Sequence, residues 1–315
     1  GELLVWARQW NLDHPADRVR IIGVDPQDIR ASRERLAAFL AEAYGAEAAA
    51  AWAPAAADLA AADEQTAVFG DSGVSAPTRL AALEALSFLH QDAPLLVARF
   101  GAARVQDALA SARDVAQFSD FNGGGGALSH SRDWYMAMNT LAALAEMGGQ
   151  AKAVYWGHNS HVSAAPTRWG PTGAVLRQAL GCGYQAVATT FGSGAFVAQV
   201  PNDPEDRLIV STLPEAQEET IESVIAGTGP GARLMSWGCG PKQGPMPQWL
   251  SEPRPLRWIG GLFAPDTPAS ATYRPYNLTE AFDGIVYFPA VTAEEIPPGR
   301  PVIPARSRAA GAGTP

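Results

Sequence analysis

The sequence predicts an α/β protein with a mostly parallel central sheet flanked by helices, and with an all-helical insertion or subdomain. Short β-branched or aromatic runs, bounded by glycine or polar residues, predict buried strands at 19–24, 153–156 and 184–191. A helix predicted over 172–180 joins the last two strands, and such a strand–helix–strand unit implies parallel pairing with a right-handed crossover. Residues 28–115 show only helical periodicity, which indicates the helical insertion.

Composition limits the class of protein. The chain has 315 residues, 47% hydrophobic and 17% charged, as expected for a globular protein of one or two domains. A formal net charge of −9 argues against nucleic-acid binding, and no apolar run is long enough to cross a membrane. We expect a main domain over 1–296, a disordered tail over 297–315, and free thiols at Cys182 and Cys239. The sequence leaves the oligomeric state open.

The first elements are a helix and a strand. Leu3, Trp6 and Trp10 recur at helical spacing and predict a helix over 2–11. The strand at 19–24 ends at Asp25, which fits both a turn residue before Pro26 and a residue of a pocket. Further helices are predicted over 28–44, 47–62, 77–89 and 104–115.

A glycine run and a helix follow the insertion. Gly123–Gly126 predicts a flexible loop, because the Gly-Lys-Ser/Thr of a phosphate-binding loop does not follow it. A helix is predicted over 131–147, with Arg132 and Asp133 in its first turn. The helix dipole favours Asp133 there but disfavours Arg132, so Arg132 needs a carboxylate partner or a substrate oxygen.

The central strand at 153–156 leads through Gly157 to two histidines, His158 and His161. Imidazole suits proton transfer near neutral pH, and two histidines can also bind a metal or simply cap backbone groups. With parallel pairing, Asp25, His158 and Phe191 would lie at one edge of the sheet. The last part of the chain predicts a hairpin strand at 196–200, a helix over 215–225, strands at 233–237 and 282–288, and long loops between 238 and 276.

Two common catalytic signatures are missing. The sequence contains no Gly-x-Ser-x-Gly and no His-Glu-x-x-His, so we predict neither that type of serine hydrolase nor a zinc-protease site. A zinc site would have to be built from scattered residues, of which His158 and His161 could supply two ligands.

Several segments in the same order resemble the erythromycin esterase family. They are 3–11 with 19–25, Ser131–Asp133 with Met136–Asn139, 156–162, 273–276 and 282–287. The resemblance implies an α/β hydrolase that opens macrolide lactone rings without a metal or other cofactor, with a histidine acting as general base toward water. It also implies catalytic roles for His158, His161 and Arg132, and substrate-binding roles for Asp25, Asp133 and Asn159. A cytoplasmic enzyme is the default expectation.

The chain departs from the family at its start. Members usually begin with a strand leading into Gly-Glu-x-x-His-Gly, which supplies the base histidine, and that motif does not occur here. We therefore expect either a fragment of a longer esterase or a chain without that base. The alternative function is a non-catalytic or truncated homologue that binds a small molecule, a metal or a tetrapyrrole through His158 and His161.

Overall fold

The computed structural model covers most of the chain. It describes residues 1–65, 73–123, 130–149, 151–166, 170–201, 203, 205, 207–240, 246–264, 266–296, 299 and 301–303. Of the glycine run, only Gly123 is described, so the predicted loop at 124–126 lies outside the described residues. The same holds for most of the predicted tail.

The helices largely follow the predicted periodicity. They are α1 (Glu2–Asp13), α2 (Arg30–Tyr44), α3 (Ala46–Gln65), α4 (Ala76–Phe100), α5 (Ala102–Phe121), α6 (Arg132–Met147), α7 (Asn159–Val162), α8 (Thr172–Leu180), α9 (Ile221–Ala226), α10 (Gln248–Ser251) and α11 (Leu278–Ala281). Short 3₁₀ helices cover Gly181–Gly183 and Ala269–Thr272. Of the described helices, none combines the length and apolar character needed to cross a bilayer.

Helices α2 to α5 form a separate hydrophobic core. Its fully buried members include Leu36, Leu59, Leu89 and Phe118. The prediction of a helical subdomain is confirmed. Helix α4 extends past its predicted end through Pro94 to Phe100.

The strands form a five-stranded sheet and a two-stranded sheet. The strands are β1 (Val187–Gln199), β2 (Leu208–Leu213), β3 (Arg233–Ser236), β4 (Arg254–Arg257), β5 (Tyr273–Tyr276), β6 (Gly284–Val291) and β7 (Val302–Ile303). The larger sheet has the order β3-β6-β1-β2-β7, and β4 pairs with β5. A second core, which includes Leu256, Phe282 and Ile285, packs against the larger sheet.

The α/β fold class is confirmed, but the larger sheet is mixed rather than mostly parallel. The β1–β6 and β2–β7 pairs are parallel, whereas β1–β2 and β3–β6 are antiparallel. The parallel expectation rested on the unit built from 153–156, the helix over 172–180 and 184–191. Of the two strands predicted in this unit, only the second, at 184–191, overlaps a strand of the sheet. Strand β7 also falls within the predicted tail, where no strand was expected.

Two predicted buried strands are wrong. Residues 19–24 and 153–156 join neither sheet in the described part of the chain. Ile21, Val154 and Trp156 are exposed at 57%, 90% and 88%, whereas Val19, Val24 and Tyr155 are half-buried. Composition favours extended backbone in both segments, but burial requires a neighbouring strand, and the described residues do not supply one. The three predicted strand ends therefore do not share one sheet edge.

Gly192 and Gly194, which follow Phe191, lie within a continuous strand and do not form a turn. Strand β1 runs through Gly192 and Gly194 to Gln199, and β2 supplies the hairpin partner predicted at 196–200. Gly194 has a φ of 125°, and a Cβ there would lie 2.0 Å from the carbonyl oxygen of Val291. Glycine is required at this position because the backbone of β6 passes so close.

The expectation of free thiols is also wrong. Cys182 and Cys239 form a disulfide with a Cα–Cα distance of 5.5 Å, across a sequence separation of 57. Each cysteine lies between glycines, Cys182 in the 3₁₀ helix Gly181–Gly183 and Cys239 in the loop after β3, and the sequence pattern alone does not indicate that they meet. The disulfide ties the end of α8 to the loop after β3.

We predict that the disulfide stabilises the fold. Replacing both cysteines with alanine should lower the free energy of unfolding by about 2–4 kcal/mol, because the bond restricts the unfolded chain. Chemical denaturation of the two proteins measures this difference. A thiol reagent should detect no thiol in the unreduced, denatured protein and both thiols after reduction. Two thiols without reduction would contradict the disulfide.

Candidate functional site

The first turn of α6 presents two charged side chains. The Ser131 side chain caps this helix by accepting a hydrogen bond from the Trp134 N–H at 3.2 Å. Arg132 and Asp133 follow directly. The Arg132 guanidinium forms a two-pronged pair with Asp25, with Nε donating to Oδ1 at 2.7 Å and Nη2 donating to Oδ2. The carboxylate partner expected for Arg132 is therefore Asp25.

Asp133 is held by donors from two other elements. His161, in α7, lies 2.8 Å from Asp133 Oδ1 through its Nδ1. The backbone N–H and the hydroxyl of Thr172, at the start of α8, donate to the same oxygen at 2.9 and 2.8 Å. Burial alone would raise the pKa of Asp133, but the hydrogen bonds and charge of these partners outweigh it and hold the pKa below its ordinary value. Asp133 is therefore ionised at neutral pH.

His158 caps the short helix α7. Its Nδ1 accepts a hydrogen bond from the Ser160 N–H at 3.2 Å and lies 2.8 Å from the Ser160 hydroxyl. The ring also stands edge-on to Trp258, with centroids 5.2 Å apart, and bonds to the backbone of Ile259. Burial, reinforced by the neighbouring His161, lowers the pKa of His158. His158 is thus a neutral, half-buried ring.

The hydrogen bonds assign opposite tautomers to the two histidines. Nδ1 of His158 accepts from a backbone N–H, so its single ring proton lies on Nε2. Nδ1 of His161 faces the Asp133 carboxylate, which only accepts, so that nitrogen carries the proton. In the neutral form of the ring, Nε2 of His161 is then left with a lone pair. Of the two rings, only His161 has the form of a general base.

Asn159 links α7 to the larger sheet. Its side-chain amide donates to the carbonyl oxygen of Thr189 at 2.7 Å and accepts from the Thr189 N–H at 3.0 Å. Asn159 is buried, and both of its side-chain groups are bonded to the backbone of β1. Its amide therefore serves as an anchor between α7 and β1.

The structure brings together most of the predicted site residues. Asp25, Arg132, Asp133 and His161 form one chain of contacts, and His158 begins the helix that carries His161. Sequence reasoning missed Thr172, Trp258 beside His158, and Tyr155, whose hydroxyl lies 3.5 Å from the Thr172 hydroxyl. Tyr155 lies inside the central segment and could have been noticed there. Nothing in the sequence marks Thr172, because its role depends on where α8 begins relative to α6.

Across the described ranges, no group of three or more His, Cys, Asp or Glu side chains is placed to hold a metal ion.

Comparison with known proteins identifies relatives of the fold. The sequence profile of a family described as erythromycin esterase matches residues 1–291. No curated protein gives a significant match. Three solved structures each match over 92% of this chain, and at 16–18% identity they establish the fold.

These structures differ in their titles. A succinoglycan biosynthesis protein has 17% identity, a TM-score of 0.67 and 70% of its chain covered. A Bacillus cereus protein has 18% identity, a TM-score of 0.67 and 71% covered. A histidine-to-asparagine mutant of the erythromycin esterase EreC, in its open conformation, has 16% identity, a TM-score of 0.63 and 73% covered.

We predict that His158 makes stability depend on pH. Its pKa in the folded chain lies below the ordinary 6.5, so the unfolded chain binds the proton first as pH falls. The free energy of unfolding should thus be highest above about pH 6.5 and decline as pH drops below it. His158→Asn keeps a capping side chain and should flatten this decline.

Urea denaturation at several pH values measures this slope. His90→Asn, on the exposed face of α4 in the helical subdomain, is the matched control. Equal slopes for the His158 variant and the unaltered protein would contradict the assignment of a neutral, buried ring.

Proposed function

The chain belongs to the erythromycin esterase family, and from this premise we propose that it hydrolyses a carboxylic ester, with macrolide lactones as the expected substrates. The hydrogen-bonded pair of His161 and Asp133 carries the proposal. The pair leaves Nε2 of His161 as an acceptor, backed by an ionised carboxylate on the other side of the ring. Such a pair is suited to activating water.

The proposed reaction needs no further reagent. Nε2 of His161 takes a proton from water while the water oxygen attacks the ester carbonyl carbon, which gives a tetrahedral oxyanion. The protonated ring then returns the proton to the leaving alkoxide oxygen as the carbon–oxygen bond breaks. The products are a carboxylic acid and an alcohol, joined in one molecule when the substrate is a lactone. Asp133 stabilises the transient imidazolium.

Arg132 is proposed to bind the oxyanion. Its Nε and Nη2 are occupied by Asp25, so the guanidinium is held in one orientation and Nη1 takes no part in that fork. A fixed cationic donor stabilises a developing negative charge without having to reorient during the reaction. Asp25 then acts by orienting Arg132 and not by direct contact with the substrate.

His158 and Asn159 are proposed to place α7. His158 begins the helix, and Asn159 fixes it to β1, so that His161 faces Asp133. The Nε2–H of His158 can also donate to a substrate carbonyl if the Ile259 contact opens.

The cytoplasmic location stays a prediction, and the disulfide argues for an oxidising compartment instead, since disulfides are rare in the cytosol.

His161→Asn should lower kcat for ester hydrolysis by about 10²–10⁴-fold, the usual contribution of a general base. A panel of macrolides, analysed by mass spectrometry for products heavier by one water, measures this loss. His90→Asn should keep full activity, because His90 lies on the helical subdomain. An active His161→Asn protein would eliminate His161 as the base, and no product from any macrolide with the unaltered chain would contradict the proposed substrate.

Arg132→Ala should lower kcat by about 10²–10³-fold with a smaller effect on KM, because the lost interaction strengthens at the oxyanion. Arg132→Lys keeps the charge but cannot form the two-pronged pair with Asp25, so it should recover only part of this loss. Arg99→Lys, on α4, is the matched control. Full recovery by lysine would show that charge suffices and that the fork has no role.

A further inference from the structure

Thr172 makes three polar contacts with Asp133 through its two donors. It is fully buried, and it is the first residue of α8. Its backbone N–H and its hydroxyl both reach Asp133 Oδ1, and the hydroxyl also lies 3.1 Å from the backbone carbonyl oxygen of Asp133. No other residue in the described part of the chain places two donors on this carboxylate.

These donors restrict the carboxylate of Asp133. Oδ1 receives His161 Nδ1 together with both donors of Thr172, so a rotation of the carboxylate would break all three contacts at once. The start of α8 also directs its positive dipole end toward this oxygen. Thr172 therefore sets the orientation in which the Asp133 carboxylate faces His161.

The distance between α7 and α8 is fixed by the backbone. A Cβ on Gly173 would lie 2.2 Å from the Val162 carbonyl oxygen and 2.5 Å from that of Ser163. Only glycine allows the first turn of α8 to touch the end of α7 in this way. His161 and Thr172 thus stand on two elements in direct contact, and both face Asp133.

We propose that Thr172 is a positioning residue for the proposed hydrolysis: its hydroxyl fixes the Asp133 carboxylate so that His161 keeps the proton on Nδ1 and the lone pair on Nε2. The proposal rests on the proposed function for its effect on turnover. Its effect on the tautomer of His161 does not depend on any activity.

Two matched variants test this role. Thr172→Val keeps the shape of the side chain and removes the hydroxyl, whereas Thr172→Ser keeps the hydroxyl and removes a methyl group. The ¹⁵N shifts of the His161 ring, recorded at a pH where the ring is neutral, report which nitrogen carries the proton. His161→Asn assigns the resonances. Melting temperatures and kcat/KM are measured on the same proteins.

The unaltered protein and Thr172→Ser should show the proton on Nδ1, and Thr172→Val should show a mixture of tautomers. We expect kcat/KM to fall roughly tenfold or more in the valine variant, as for the loss of a hydrogen bond to a charged group, and to recover in the serine variant. A tautomer mixture in Thr172→Val, together with no ester hydrolysis by any of the three proteins, would support the positioning role and reject the proposed function.

Three results would overturn the proposal. One is a valine variant with the normal tautomer and rate, since its hydroxyl would then be dispensable. Another is an unaltered protein whose His161 proton lies on Nε2. The third is a Thr172→Ser variant in which His161 no longer keeps its proton on Nδ1, because this variant retains the hydroxyl and alters only the packing. The serine variant can be tested even if Thr172→Val does not fold.

Discussion

The site depends on the first turn of α6, where Arg132 and Asp133 place opposite charges on neighbouring residues. Neighbours in a helix point in directions about 100° apart, so the two charges cannot neutralise each other fully and each needs a partner from elsewhere. Arg132 takes Asp25, 107 residues away, and Asp133 takes His161 and Thr172. A single helical turn thereby fixes three separate segments of the chain.

The same helix is held in place by the helical subdomain. Asn139, two turns further along α6, exchanges hydrogen bonds with Gln117 of α5 at 2.9 Å in both directions. Asn139 also donates to the carbonyl oxygen of Val24, next to Asp25. The subdomain thus contributes to the site without supplying a reacting group, because it determines where α6 meets the segment that carries Asp25. A change in α5 can therefore reach Arg132 through the hydrogen bonds that link Gln117 to Asn139 and Asn139 to Val24, and then through the pair of Asp25 with Arg132.

Local signals allowed the helices to be predicted, and non-local pairing explains the errors. The helix over 172–180 was predicted to the residue, because periodicity and a closing glycine lie within one stretch of sequence. The strands at 19–24 and 153–156 were predicted from composition, which indicates extended backbone but says nothing about a partner. The site shows the same division: the unfavourable position of Arg132 in a first helical turn predicted that it needs a partner, whereas the contact of Asp133 with Thr172 depends on the packing of α8 on α7.

The spacing of the two histidines now has a physical explanation. His158 precedes the first residue of α7, where a side chain that accepts a backbone N–H is favoured, and this use of Nδ1 forces the proton onto Nε2. Three residues later, His161 has made nearly one turn and faces α6 instead, where a carboxylate forces the proton onto Nδ1. Asn159, between them, has its amide bonded to β1. The His-Asn-x-His segment therefore combines a cap, an anchor and the proposed base in four residues, and its two rings are not interchangeable.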